Sequence, residues 1–157
     1  MGETMEVRIA KFTLSDLAVG QKDKIEVDVS IDDINKFAEI SGDYSPIHMD
    51  SAFAKAQGFN SRIAHGMLIG ALVSGFIGNR LPGRYGILQS VDIGFRKPLE
   101  PPDTVQISGE VINISKSMGQ VVIKIVISDS KGSKLAIAKI KSIIRDNFLK
   151  AKMKSEK

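Results

Sequence analysis

The sequence predicts an α+β fold in which an antiparallel sheet curls around one apolar helix, and three observations carry that prediction. A helix-length stretch at 63–81, IAHGMLIGALVSGFIGNRL, is apolar on nearly every side, as a helix is when other protein covers most of it. From residue 87 onward the hydrophobic period changes from 3.6 to 2, in four runs of strand length. The last three runs are joined by hairpin-length turns, which favours antiparallel neighbours. A twisted antiparallel sheet has one apolar face, and wrapping it around the helix buries both at once.

Each element follows from a local pattern. Residues 1–21 hold a short apolar pattern ending in Leu17, Ala18, Val19 and Gly20, read as an opening strand and a turn. KIEVDVS then alternates strictly, with Ile25, Val27 and Val29 on one face and Glu26 and Asp28 on the other, as a half-buried strand does. Ser30 or Asp32 can cap the next segment, IDDINKFAEISG, which sets Ile34, Phe37, Ala38 and Ile40 on one helical face and stops at Gly42. Residues 43–62 read as loop and short helix, with SAFAKAQGF supplying one or two turns around Phe53 and Ala54. The apolar helix occupies roughly 64–80 and ends at Leu81-Pro82-Gly83. The strand runs are ILQSVDIGFRKPL, TVQISGEVINIS, QVVIKIVISDS and KLAIAKIKSIIRD.

At 157 residues the chain has room for one sizeable core, so 1–157 reads as a single domain with its core at about 15–145 and a basic tail at 146–157. The net charge is +4, yet the lysines are scattered and aromatics make up only 6%. Stacking positions among the basic residues are missing, which counts against nucleic acid as a partner. The tail run Lys150-Ala151-Lys152-Met153-Lys154 reads as solvated. With no cysteine there are no disulfides, thiolate nucleophiles or cysteine-held zinc. The acidic N-terminus lacks the flank of a signal peptide, so the cytoplasm is the expected location. The apolar helix starts at a histidine and closes on Asn79-Arg80, short for a membrane span.

The chain has two histidines, and one lies five residues after an aspartate across a proline-containing turn, Asp43-Tyr44-Ser45-Pro46-Ile47-His48. On its own this is a helix stop with a titratable residue or a catalytic pair. Taken with Ile63-Ala64-His65-Gly66-Met67-Leu68, Leu81-Pro82-Gly83 and Phe95-Arg96-Lys97-Pro98 in that order, the chain resembles the MaoC-like or R-specific enoyl-CoA hydratase family over about 15–145. The resemblance implies a hot-dog fold, a dimer as the minimal unit, and Asp43 and His48 as the catalytic pair. The family motif has asparagine where Ser45 stands, so a hydrogen bond from that amide must be replaced or lost. Pro102 stands where a glycine usually precedes the aspartate-threonine pair.

Hydration of a 2-enoyl thioester needs a base for the water attacking C3, a proton for C2, and a partner for the charge growing on the thioester oxygen. A carboxylate and an imidazole gripping one water can supply the first two, and imidazole titrates near neutrality. The start of the apolar helix has unpaired N–H groups, and Gly66 lets a carbonyl approach closely. Tyr44, Ser45, His65 and Ser74 are further candidates around the substrate, His65 as a supporting residue and Ser74 for the acyl pocket. Arg84, Arg96 and Lys97 are candidates for a rim that receives the phosphates of coenzyme A. No zinc spacing or dinucleotide motif is present, so no metal or cofactor is expected beyond the coenzyme A thioester itself. A 3-hydroxyacyl dehydratase acting on acyl carrier protein, and a non-catalytic module that binds acyl-CoA, are the alternatives; crotonyl-CoA turnover separates the last from the rest.

Overall fold

The computed structural model describes residues 8–146; the proposed tail run at 150–154 and the first seven residues of the opening segment lie outside them. Before the first strand the chain makes one 3-10 turn, Leu14–Asp16, and a single bridge from Lys11 to Gly83. The opening strand expected within 1–21 does not form over 8–21. Its one pairing contact is too short to recruit a ladder.

The first strand, β1 (Lys22–Val29), leads into helix α1 (Ile31–Ser41). Ser30 and Asp33 exchange hydrogen bonds at the N-terminus of α1, and Gly42, with φ 74°, closes it, as the capping residues predicted. Ile34 and Ala38 are fully buried, but Ile40 is 85% exposed. At 100° per residue, Ile40 points about 120° away from Ile34, outside the apolar stripe to which the sequence reading assigned it. Two short helices follow, α2 (Pro46–Met49) and α3 (Ser51–Ala56), the second capped by the Asp50 carboxylate on the Ala52 and Phe53 N–H groups.

Helix α4 (Gly66–Asn79) is the apolar helix, and its N-cap is His65. Leu68, Ile69, Val73, Phe76 and Ile77 are buried beneath the sheet, each contributing about 1.5–3 kcal/mol. That outweighs its three interior glycines, Gly70, Gly75 and Gly78, which cost about 0.5–1 kcal/mol each. Met67, Ala71, Ser74, Gly75 and Gly78 face out. The expectation that protein covers this helix on most sides therefore fails within one chain: the sheet covers a single flank.

The sheet comprises β1, β2 (Gly86–Phe95), β3 (Asp103–Ser115), β4 (Gln120–Ser128) and β5 (Lys134–Ile144), in the order β1-β3-β4-β5-β2, every pairing antiparallel. Strands β3, β4 and β5 are hairpin neighbours, as their turns predicted. Strand β2 crosses to the far edge and pairs with β5. Val105, Ile107 and Val111 of β3 and Ile123, Ile125 and Ile127 of β4 point to the core. Gly109, in the same inward row, leaves room for the Phe76 ring. At the far end of α4 the Arg80 guanidinium grips the Asp23 carboxylate with two 3.0 Å hydrogen bonds, tying the helix to β1. No helix among the described residues is long and apolar enough to cross a membrane.

Candidate active site

The C-terminus of α1, helix α2 and the N-terminus of α4 converge on one spot. Gly42 turns the chain out of α1, so that Asp43 leaves it at a sharp angle, and Pro46 then starts α2, whose third residue is His48. The segment before α4 runs between two anchors: the Ile63 N–H donates to the Ile47 carbonyl at 3.3 Å and the Ala64 N–H to the Leu99 carbonyl at 2.8 Å. That path presents the Ile63 carbonyl to His48 and brings His65 beneath it.

His48 Nε2 lies 4.0 Å from Asp43 Oδ2. The other ring nitrogen, Nδ1, is 2.8 Å from the Ile63 carbonyl oxygen. A carbonyl only accepts, so Nδ1 carries the proton and, in the neutral ring, Nε2 presents a lone pair to the aspartate. The carboxylate is held in turn by Ser45, whose hydroxyl donates to Oδ1 at 2.5 Å and whose N–H donates at 3.1 Å. These bonds, the hydroxyl first and the amide second, keep the Asp43 carboxyl below the usual carboxylate range, against the opposing effect of burial. The asparagine that Ser45 replaces is thus answered by a hydroxyl bond to the carboxylate itself, and Ser45 is placed to hold Asp43 rather than to meet a substrate.

Two acceptors face each other across a gap too long for a direct hydrogen bond. A water donating one proton to each, at about 2.8 Å, holds its partners roughly 4.4 Å apart, close to the observed spacing. The water's remaining lone pairs then point away from the pair. Asp43 is 46% exposed at its side chain and His48 13%, so the spot is open to a reactant.

His65 is 2% exposed. It does not line the site. Its Nε2 donates to the Asp43 carbonyl oxygen at 2.9 Å, its ring stacks on His48 with centroids 3.9 Å apart and 27° between planes, and Phe37 tilts against it with centroids 5.0 Å apart. Gly66, the first residue of α4, has no preceding turn to accept its N–H. A methyl group on Gly66 would stand 3.1 Å from Phe95 Cζ, so the end of β2 closes over this glycine.

Of the other candidates, Tyr44 is exposed beside Asp43, and Arg96 and Lys97, exposed, directly follow Phe95, at the end of β2 that meets Gly66. Ser74 is exposed on α4 about 12 Å along the axis from Gly66, and Arg84 lies past the other end of the helix, roughly 20 Å away. Within one chain Arg84 cannot be on the rim of this site, because the rigid helix holds the two apart. In the sequence no site role falls to Phe37, Phe95 or the Ile63 carbonyl, although Phe95 and Ile63 stand in motifs that carry the resemblance. Phe37 read as core, Phe95 as strand, and a backbone carbonyl leaves no trace in composition.

Asp43, His48 and His65 each offer one atom within 4.8 Å of the others, which makes them a metal candidate by composition. The stacking argues otherwise. An ion binds in the plane of each imidazole, and two planes lying face to face do not converge on one point. The clefts of 530 Å³ beside Lys22, Ser108 and Lys124 and of 370 Å³ beside Asn60, Glu100 and Asp129 lie elsewhere, and neither includes Asp43, His48 or Gly66.

Residues 16–131 match the family model described as MaoC like domain. The chain is 38% identical over 109 residues to a 3-hydroxybutyryl-CoA dehydratase of Methylorubrum extorquens, covering 69% of this chain and 68% of that one. It is 37% identical over 95 residues to an (R)-specific enoyl-CoA hydratase of Aeromonas caviae, covering 60% and 71%. Among solved structures it resembles the R-hydratase PhaJ1 of Pseudomonas aeruginosa, with a TM-score of 0.80, 30% identity and 84% of each chain covered. The chain belongs to the MaoC-like dehydratase family and has the hot-dog fold.

Proposed function

We propose that this chain is a hydro-lyase that adds water across the 2,3 double bond of a trans-2-enoyl-CoA thioester, giving the 3R-hydroxyacyl thioester, and that it runs the reverse dehydration. The observation that carries this reading is the pair of acceptors, Asp43 Oδ2 and His48 Nε2, facing each other across 4.0 Å. The water they orient presents a lone pair to C3. As the C–O bond forms, one water proton passes to the pair and one proton is returned to C2, so that the elements of water are added and nothing else is consumed. The charge that grows on the thioester oxygen meets the Gly66 N–H at the positive end of α4. The 3R outcome is supported by relatives named as R-specific hydratases. No metal or further cofactor enters these steps.

The working unit in this reading is a homodimer. Strand β2 is a ten-residue edge with Ile87, Leu88, Val91 and Phe95 exposed, the kind of edge that soluble chains cover. Beside it runs the outward flank of α4, rich in small residues that permit close approach. A second chain against these surfaces would wall the site that one chain leaves open, and would bring the partner's rim residues, the counterpart of Arg84 among them, to the other end of the helix.

The test is hydration of crotonyl-CoA followed by loss of the conjugated thioester absorbance, repeated with longer acyl chains and with the carrier-protein thioester. Turnover of the coenzyme A thioesters is expected. Binding without turnover at any length would leave a non-catalytic acyl-CoA module in its place.

A further inference from the structure

We infer that His65 is a positioning residue for the Asp43/His48 pair, an inference that rests on the hydro-lyase reading but has a readout independent of turnover. Its imidazole touches both members at once. Nε2 donates to the Asp43 carbonyl, fixing the backbone from which the carboxylate projects, and the ring face supports the face of His48 at 3.9 Å. Phe37 tilts against the same His65 ring with centroids 5.0 Å apart, so the ring that supports His48 is itself packed against a side chain of α1. The chain thus reaches the reacting pair through a residue that is itself out of contact with substrate.

The cost of this arrangement is visible. With Nε2 committed as donor, Nδ1 of the neutral ring is an acceptor, and it is buried with no hydrogen-bond partner among the described residues. A buried, unsatisfied acceptor lowers stability. A residue kept only for packing would not need it, since phenylalanine fills similar volume and stacks on His48 equally well. What phenylalanine lacks is the N–H toward Asp43.

That contrast defines the experiment. In His65→Phe the stack is retained and the donor lost; in His65→Gln a donor reaches the position of Nε2 and the stack is lost; His65→Ala removes both. The expected result for His65→Phe is an unchanged or higher Tm with kcat lowered tenfold or more and KM within about threefold. Glutamine is expected to recover part of kcat, and alanine to be the slowest of the three. If alanine does not fold, the two near-isosteric variants decide alone. The chain has two histidines, so in every His65 variant the remaining imidazole signal in the NMR spectrum belongs to His48. Loss of the stacked ring in His65→Gln should move the His48 ring protons downfield, and His65→Phe should leave them shifted as in the parent. A parent with no hydratase activity would remove the reaction assigned to the pair, whereas the NMR comparison would still report whether His65 holds His48. Phe and Gln variants with kcat within twofold of an active parent, or a His48 signal indifferent to residue 65, would overturn the proposal.

Discussion

Gly109 of β3 leaves the space that the Phe76 ring of the central helix fills, and Gly109→Ala tests whether that contact fixes the helix. A methyl group there would stand 2.5 Å from Phe76 Cε1 and 2.9 Å from Ile125 Cδ1. Carbon contacts are favourable at about 3.5–4.0 Å, so the helix must withdraw by roughly 1 Å or Phe76 must leave its rotamer. Overpacking of this kind costs about 1–3 kcal/mol. Alanine returns about 0.4–1 kcal/mol by restricting the unfolded chain. At the middle of both ranges the clash wins, leaving a net loss of about 1.3 kcal/mol and a fall in Tm of ~3–5 °C for a chain of this size. Phe76 and Gly66 share one rigid helix, so the displacement reaches the N–H assigned to the thioester oxygen, and turnover should fall further than the folded fraction does. Thermal unfolding followed by circular dichroism, with hydration rates, would be measured for Gly109→Ala, Phe76→Leu and the double variant. Trimming the ring relieves the clash, so the double variant should be more stable than the two single losses predict by addition. An alanine variant as stable as the parent, or strict additivity, would refute the reasoning.

Other outcomes follow from the site. Asp43→Asn and His48→Ala should each lower turnover about 10²–10⁴-fold with little change in Tm, and the double variant should lose little more than either, because the two groups act on one water; a multiplicative loss would separate their roles. Ser45→Ala removes the hydroxyl bond that holds the Asp43 carboxyl down. A depressed folded-state value means that Asp43 stays ionised, and its contribution to stability persists, until pH falls through that value. The acid limb of the kcat/KM profile should therefore move to higher pH in Ser45→Ala, and an unmoved limb would mean that it reports another group. Gly66→Pro removes the N–H at a helix position that accepts proline, and His65, with ψ 136°, is already in the conformation that precedes proline. It should cost about 10²–10³-fold in kcat, while Gly66→Ala, which meets Phe95 in the same way but keeps the N–H, should cost much less. Val91→Asp on the exposed edge of β2 should yield a monomer by light scattering with greatly reduced activity, and a fully active monomer would exclude the two-chain site.

Sequence by itself determined the elements whose rules are local. Strict alternation specified β1, and strand-length runs with a period near 2 specified β2 to β5. Ser30 and Gly42 bounded α1 because capping needs only a hydroxyl at one end and a left-handed residue at the other. The order of the motifs brought Asp43, His48 and Gly66 forward as candidates. Tertiary structure decided what depends on residues distant in the chain. It sent β2 across the sheet to pair with β5, left one flank of α4 and the Ile40 side chain uncovered, and, within one chain, set Arg84 a helix length from Asp43 and His48. It also supplied the contacts by which His65, already read as a supporting residue, meets His48 and the Asp43 carbonyl, and gave Ser45 its hold on the Asp43 carboxylate. Periodicity along the chain reports which face of an element is apolar, but not which neighbour covers it. A ring stack or a carbonyl acceptor exists only once packing has fixed both partners.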